Sequence, residues 1–217
     1  MQSFVSDSAV FLPILVQGLW LTVLVTVGSL VLSTALGLVW AMADVSGLTW
    51  LRRSSRVVVT LIRGIPIMVQ LFYIYFVMPD LGITFTALQA GIIGLGIAYS
   101  AYQSENFRGG IEAIDHGQLE AAQALGMGWF KTMRRVILPQ AVRIVLPSYG
   151  NTVVMILKDS SQASTITVAE LALQGKLIAA STMKNTEVFT LVALLYLVMS
   201  IPLMLWVKHL ERRFKPK

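Results

Sequence analysis

The sequence lacks cysteine and carries little charge for its length. None of its 217 residues is cysteine, so disulfide bridges and thiolate metal sites are excluded. Charged residues make up only 13% of the chain, whereas a soluble globular domain usually carries about a quarter. The hydrophobic fraction is 56% and the mean hydropathy is +0.73. These values predict an integral membrane protein.

Lysine and arginine are absent before Arg52 and are concentrated in three later stretches. The first stretch follows the first apolar run, and the second precedes the fourth apolar run and extends into it. The third stretch is the tail, with Lys208, Arg212, Arg213, Lys215 and Lys217. Cytoplasmic loops of membrane proteins are rich in these residues. The net charge of +6 therefore predicts cytoplasmic loops beside a lipid bilayer and does not indicate nucleic-acid binding.

Five apolar runs predict five membrane spans, because about 20 apolar residues are needed to cross a bilayer. The predicted spans are residues 14–43, 57–78, 86–107, 141–158 and 187–207. Five spans with the N-terminus outside place the three basic stretches and the C-terminus in the cytoplasm. The predicted fold is all-α and integral to the membrane, with residues 1–217 in one transmembrane domain.

Residues 112–139, between the third and fourth spans, predict a pair of short cytoplasmic helices. Leu119, Ala122 and Leu125 share one face of the first helix, and Gly126 after it favours a left-handed turn. Pro139 is expected to bend the second helix or to end it before the fourth span begins. An exposed apolar face on such a pair predicts docking into a groove of another protein. A solvated loop packed on the chain's own spans is the alternative.

The stretch "EAAQALGMGWFKTMRRVILPQA" resembles the EAA loop of membrane subunits of ATP-binding cassette importers. The matching positions are Glu120, Ala121, Ala122, Gly126, Val136, Leu138 and Pro139, with valine for isoleucine at 136 as the only departure. Three further segments, "IRGIPIMVQLFYIYFVMP", "AYQSENFRGGIEAIDHGQLEAA" and "LPSYGNTVVMILKDSS", are similar to the polar amino acid permease class.

The resemblance implies a type I importer-like permease in the bacterial inner membrane. Its implied partners are a second permease subunit, identical or homologous, two cytoplasmic ATPase subunits and an extracytoplasmic solute-binding protein. The implied cargo is a polar amino acid or a related small zwitterion. No G-x-x-x-x-G-K-[ST] motif is present, so the chain is expected to be no enzyme and to hold no cofactor, with ATP and Mg bound by the partner ATPase. The residues expected to couple to that ATPase are Glu120, Ala121, Ala122, Leu125, Gly126, Met127 and Pro139.

Ionisable residues in or beside the spans are the candidates for substrate binding. Glu105 and Asp159 offer carboxylates for an ammonium group, and Arg108 offers a guanidinium for a carboxylate. Glu105 and Arg108 lie three residues apart, so a structural ion pair between them is the alternative. For Asp159 the alternative is a solvated helix end beside Lys158.

Arg63, Gly64 and Pro66 predict a gate or hinge in the second span. Gly64 and Pro66 weaken the helix, and broken helices in membranes are tolerated where protein or a water-filled cavity covers the backbone. A basic cytoplasmic anchor with a harmless kink is the alternative for Arg63.

A short non-spanning helix is predicted at about 168–181, where Thr167 and Glu170 form a capping-box pattern. We expect it at the outer surface or dipping back into the membrane.

Two other classes of function remain open from the residues alone. A gradient-driven secondary transporter would need coupling-ion groups at the bilayer midplane, often in paired broken helices, and the sequence shows no inverted repeat and few midplane carboxylates. A non-transporting membrane scaffold is opposed only by the resemblance.

Overall fold

The computed structural model describes residues 2–214, with side chains described from Asp7 onward. Over these residues the chain is helical and contains no strand, which confirms the predicted all-α class. The helices are α1 (Gln2–Val45), α2 (Thr49–Gly64), α3 (Ile67–Phe72), α4 (Ala87–Glu112), α5 (His116–Ala124), α6 (Trp129–Thr132), α7 (Leu138–Asp159), α8 (Leu171–Thr182) and α9 (Asn185–Phe214). The tail residues Lys215 and Lys217 lie outside the described residues.

Helix α1 packs along α4 through small residues. The Ser29 hydroxyl donates to the Ile92 carbonyl at 3.3 Å. A Cβ atom added at Gly37 would lie 2.7 Å from the Cβ of Gln103, so only glycine fits at this contact. Small residues at helix contacts let the backbones approach closely, which is how helices associate in a lipid environment without a hydrophobic driving force.

The second predicted span, 57–78, is a broken helix, and the break lies at the predicted weak point of Gly64 and Pro66. The chain breaks at Ile65 and Pro66, both with extended backbone angles, and the segments Thr49–Gly64 and Ile67–Leu81 meet at 97°. Proline has no N–H to donate and forces the residue before it out of the helical region. The Gln70 amide donates to the freed carbonyls of Ile62 and Ile65, each at 2.8 Å.

Pro139 does not end a short helix, so that part of the prediction is wrong. From Trp129 to Asp159 the chain is helical throughout, because α6 passes through a π turn at Met133–Ile137 directly into α7. In that turn the Leu138 N–H donates to the Met133 carbonyl, five residues back. The wider turn directly before Pro139 accommodates a residue that cannot donate the next helical hydrogen bond.

Helix α8 begins at Leu171, three residues later than predicted. Glu170 caps it by accepting from the Leu173 N–H at 3.0 Å. Thr167 has a left-handed φ of 67° and ends the preceding 3₁₀ segment, so it has no part in this cap.

The core lies where α1, α3, α4, α7 and the 3₁₀ segment Ser160–Ile166 meet, around the buried side chains of Val25, Leu71, Tyr99 and Ile156. By length and apolar composition two helical segments of the described residues, Asp7–Val45 and Asn185–Phe214, can cross a membrane, and the bent pair Thr49–Gly64 and Ile67–Leu81 counts as a third if it is one span. The five-span count stays a prediction.

Candidate functional site

A network of charges joins α1, α2 and the end of α4. Asp44, at the end of α1, is only 6% exposed, and its Oδ1 accepts from the Arg56 Nε at 2.9 Å. Its Oδ2 lies 3.6 Å from the Arg108 Nε. Arg108 also binds Glu105 at 2.6 Å and Glu112 one turn further along α4. A buried carboxylate is retained only where charged or hydrogen-bonding partners satisfy it. Here Arg56 and Arg108 do so, and the Arg52 Nε lies 4.0 Å from the Asp44 Oδ1.

The predicted use of Arg108 as a free ligand for a substrate carboxylate does not fit this geometry. The structure brings Glu105 and Arg108 together as the ion pair that was the alternative interpretation. Arg108 contacts three carboxylates, so a further anion would compete with these partners for the guanidinium.

Asp159, at the end of α7, contacts another helix. The Tyr99 hydroxyl of α4 donates to the Asp159 Oδ2 at 2.6 Å. Tyr99 is six residues before Glu105 and nine before Arg108, which corresponds to about 9 and 14 Å of helix rise. The ammonium and carboxylate of an α-amino acid are bonded to the same carbon, so one such group cannot bridge these positions. Substrate binding by Glu105, Arg108 and Asp159 stays a prediction, with Asp159 placed beside Tyr99 and the other two residues further along α4.

The predicted hinge residues lie at the break in the chain and beside the charge network. Gly64 ends α2, and Pro66 begins the turn into α3. The Arg63 guanidinium lies over the ring of Tyr102, 5.6 Å from its centroid. A cleft of about 370 Å³ brings Arg63 together with Glu105 and Arg108. Motion at this hinge stays a prediction.

The segment from α5 to α6 exposes a small apolar tip. Gly126 has a φ of 70°, as expected from its place after α5. The N–H groups of Gly126 and Met127 donate to the carbonyls of Gln123 and Ala122, a pattern of two bonds that closes a helix with a left-handed glycine. Leu125 is 80% exposed and Phe130 70% exposed, so both point away from the chain.

The other predicted coupling residues differ in exposure. Glu120, Ala121 and Pro139 are exposed, and Met127 is half-buried. Ala122 is only 3% exposed, so it packs inside the chain and cannot line the docking face as predicted.

The sequence did not reveal three polar contacts between helices. They are made by Asp44 with Arg56, by Tyr99 with Asp159, and by the buried Glu170 with Tyr196. Asp44 has a signal in the sequence, since it is an acidic residue closing an apolar run, with arginines 8 and 12 residues later. The Tyr99–Asp159 contact joins residues 60 apart, and the sequence pattern contains no signal for it.

Comparison with known proteins decides the family. Residues 33–216 match the family described as binding-protein-dependent transport system inner membrane component. The chain belongs to this family. Its long apolar helices agree with this family of membrane components.

Relatives of this transport component cover nearly its full length. It is 38% identical over 192 residues to the probable amino-acid permease protein YxeN of Bacillus subtilis (strain 168), covering 87% of this chain and 86% of that protein. It is also 38% identical over 212 residues to the glutamine transport system permease protein GlnP of Escherichia coli (strain K12), covering 94% of each.

Solved structures agree with the fold of this transport component. A chain in the crystal structure of an amino acid ABC transporter with histidines superposes with a TM-score of 0.88 at 34% identity, over 95% of this chain and 97% of that one. A chain of the MetNI methionine ABC transporter in an inward-facing conformation superposes with a TM-score of 0.81 at 21% identity, a likeness that concerns the fold alone.

Proposed function

We propose that this chain is the permease subunit of an ATP-driven importer for polar amino acids or related small zwitterions. Amino-acid permeases that match over most of the chain support this proposal, as does the chain from the amino acid transporter crystal structure. The observation that carries it is the exposed tip of Leu125 and Phe130 in a chain that has no P-loop of its own.

In this proposal two permease subunits form the pathway in the bacterial inner membrane, with the N-terminus outside and the C-terminus in the cytoplasm. Partner ATPase subunits bind ATP and Mg and dock on the cytoplasmic face, and an extracytoplasmic binding protein delivers the solute. The basic residues of α2 and of the α6–α7 region support this orientation, because such residues favour the cytoplasmic side.

Coupling to the ATPase passes through the tip. Leu125 and Phe130 enter an apolar groove, and the left-handed turn at Gly126 fixes their relative position. Because α6 continues through the π turn into α7 without interruption, movement at Phe130 is transmitted along one helix toward Asp159. This continuity makes α7 the mechanical link in the proposal.

Asp159 is the proposed contact for the ammonium group of the cargo on the outer side. The Tyr99 hydroxyl donates to its Oδ2, and among the described side chains none donates a hydrogen bond to its Oδ1. A carboxylate accepts several hydrogen bonds, so Oδ1 is free for an ammonium N–H.

The docking proposal is tested by placing a charge on the tip. Leu125→Asp or Phe130→Asp should weaken retention of the ATPase in the complex purified through this chain, because an interface anchor is replaced by a charge that docking would desolvate. Loss of a central anchor costs about 2 kcal/mol or more, roughly thirtyfold in affinity. ATP-dependent uptake into proteoliposomes should fall in parallel.

Leu81→Asp is the matched control, since Leu81 is 64% exposed at the end of the 3₁₀ segment Met78–Leu81, at the predicted outer face. It should retain the ATPase fully. Uptake that persists without ATP and collapses with the membrane potential would instead identify a gradient-driven transporter. Full ATPase retention in both tip variants would refute the docking proposal.

A further inference from the structure

The cleft beside the hinge contains groups of both charge signs. Its volume is about 370 Å³, and it lies between the end of α1, the second half of α2 and the last turns of α4. Its charged residues are Asp44, Arg56, Arg63, Glu105 and Arg108, and Thr60 contributes a hydroxyl. Pockets that bind small molecules usually measure about 300–1,000 Å³, so the cleft has the size for a small solute.

Most of these charges already have partners in the protein. Arg56 donates to Asp44 Oδ1 at 2.9 Å, and Arg108 lies 3.6 Å from Asp44 Oδ2 while binding Glu105 Oε2 at 2.6 Å. The buried Asp44 carboxylate thus holds two of the three arginines of the cleft. Asp44, Arg56 and Arg108 therefore shape the walls of the cleft, because a ligand would have to displace the partners that they already have.

Arg63 and Glu105 both keep free hydrogen-bonding capacity in the cleft. Arg63 lies over the Tyr102 ring, and among the described residues its guanidinium forms no ion pair and no hydrogen bond. Glu105 uses Oε2 for Arg108, and within the described part of the chain its Oε1 has no partner. Tyr102 is one turn before Glu105 on α4, so stacking on this ring keeps the Arg63 side chain beside the last turns of that helix.

We infer that this cleft is a second, cytoplasmic-side binding station for the head group of an α-amino acid. The Arg63 guanidinium donates two parallel hydrogen bonds to the α-carboxylate, and Glu105 Oε1 accepts from the α-ammonium. The site contacts only the head group, so it binds amino acids with different side chains. The inference rests on the proposed function for its cargo, and it replaces Arg108 by Arg63 as the ligand of the carboxylate.

The station is distinct from Asp159. Tyr99, which contacts Asp159, precedes Glu105 by six residues, or about 9 Å of rise along α4. A solute passing from Asp159 to Arg63 would therefore move along α4 toward the cytoplasmic end. The second station lies directly before the break at Ile65, so opening or closing of that hinge would change access to it.

A cysteine placed in the cleft reports occupancy without any transport measurement. The chain has no cysteine, so Thr60→Cys introduces its one thiol. In the purified permease–ATPase complex in nanodiscs, L-glutamine should slow modification of this thiol by a charged thiol reagent. N-acetyl-L-glutamine and L-glutamine methyl ester, which lack the free ammonium and carboxylate respectively, should protect at least about tenfold more weakly, the effect of losing one charge-assisted bond.

Adding Arg63→Gln or Glu105→Gln to Thr60→Cys should raise the L-glutamine concentration needed for protection by about tenfold or more. Arg53→Gln is the matched control, because Arg53 is an exposed arginine of α2 outside the cleft. It should leave protection unchanged. Ser54→Cys, exposed on the same helix outside the cleft, should show no protection.

Absence of protection by L-glutamine, or equal protection in the Arg63→Gln and Arg53→Gln backgrounds, would overturn the station. Equal protection by all three compounds would overturn head-group recognition. The proposed function fails on a different result, namely a wild-type complex that retains no ATPase and performs no ATP-dependent uptake.

Discussion

At the scale of single residues, Glu170 is the most completely enclosed charge-bearing group of the described chain. It has 0% exposure and lies among neutral partners. Its Oε2 accepts from the Tyr196 hydroxyl at 2.7 Å and the Thr22 hydroxyl at 3.3 Å. Its Oε1 accepts from the Leu173 N–H at the start of α8, where the helix dipole favours negative charge. Glu170 therefore connects α1, α8 and α9 at one point.

We predict that Tyr196→Phe lowers the free energy of unfolding by about 1.5–3 kcal/mol, because it removes a hydrogen bond to a buried carboxylate. The midpoint of unfolding, measured on the purified chain in detergent, should fall. Tyr73→Phe is the control, since Tyr73 is 51% exposed and its hydroxyl has no hydrogen-bond partner among the described residues. Equal midpoints for the two variants would mean that the Tyr196 hydroxyl contributes nothing.

At the scale of helices, close contacts and proline positions determine how the elements pack. Both π turns, at Tyr73–Val77 and at Met133–Ile137, end two residues before a proline, Pro79 and Pro139. In each case the turn provides a wider hydrogen bond where the regular pattern is about to lose a donor. Helix α4 lies close to α7 at Gly110, where an added Cβ would lie 2.2 Å from the Val145 Cγ2.

Gly110→Ala should therefore push α4 away from α7 and lower the free energy of unfolding by about 1–3 kcal/mol. Its neighbour provides the control, because a Cβ at Gly109 meets nothing within 4 Å. Gly109→Ala should stabilise the helix by about 0.5–1 kcal/mol.

Val145→Ala removes the Cγ2 methyl group that an added Cβ at Gly110 would overlap. Combining Val145→Ala with Gly110→Ala should therefore recover part of the free energy of unfolding that Gly110→Ala loses. Unfolding midpoints of the four variants measure the coupling. If the losses of Gly110→Ala and Val145→Ala simply add, the contact does not limit the approach of the two helices.

At the scale of the whole molecule, the charge distribution predicts which loops face which side. The turn at 82–86 between α3 and α4 contains no lysine or arginine, whereas the α2 and α5–α7 regions contain most of those found before the tail. Basic residues near span ends favour the cytoplasmic side. The exposed tip of Leu125 and Phe130 is then on the same side as the basic residues of α2.

A single cysteine at Thr84 should react with a membrane-impermeant reagent in intact cells, because Thr84 is exposed in the turn between α3 and α4. A single cysteine at Gln118, exposed on α5, should react only after the membrane is opened. Since the chain has no other cysteine, each signal reports one position. Reaction of Gln118→Cys in intact cells would reverse the orientation on which the coupling proposal depends.

Local chemistry made a good part of this protein predictable from its sequence. The apolar composition predicted the all-helical class, and Gly64 followed by Pro66 predicted the break at the end of α2. The left-handed turn at Gly126 followed from a glycine directly after a helix-forming stretch. Each of these features depends on residues within a few positions of one another, so the sequence by itself determined them.

The pairing of charges was decided only by the tertiary structure. Asp44 meets Arg108, and Asp159 meets Tyr99, through packing of helices that are far apart in sequence. The same packing left Arg63 without an ionic partner among the residues that the structure describes, and it turned Ala122 inward. The sequence gives the charge of each side chain, but the residue that pairs with this charge depends on which helix faces pack closely together. That fit is set by small residues such as Gly37 and Gly110, whose neighbours across the contact become known only once the helices are packed.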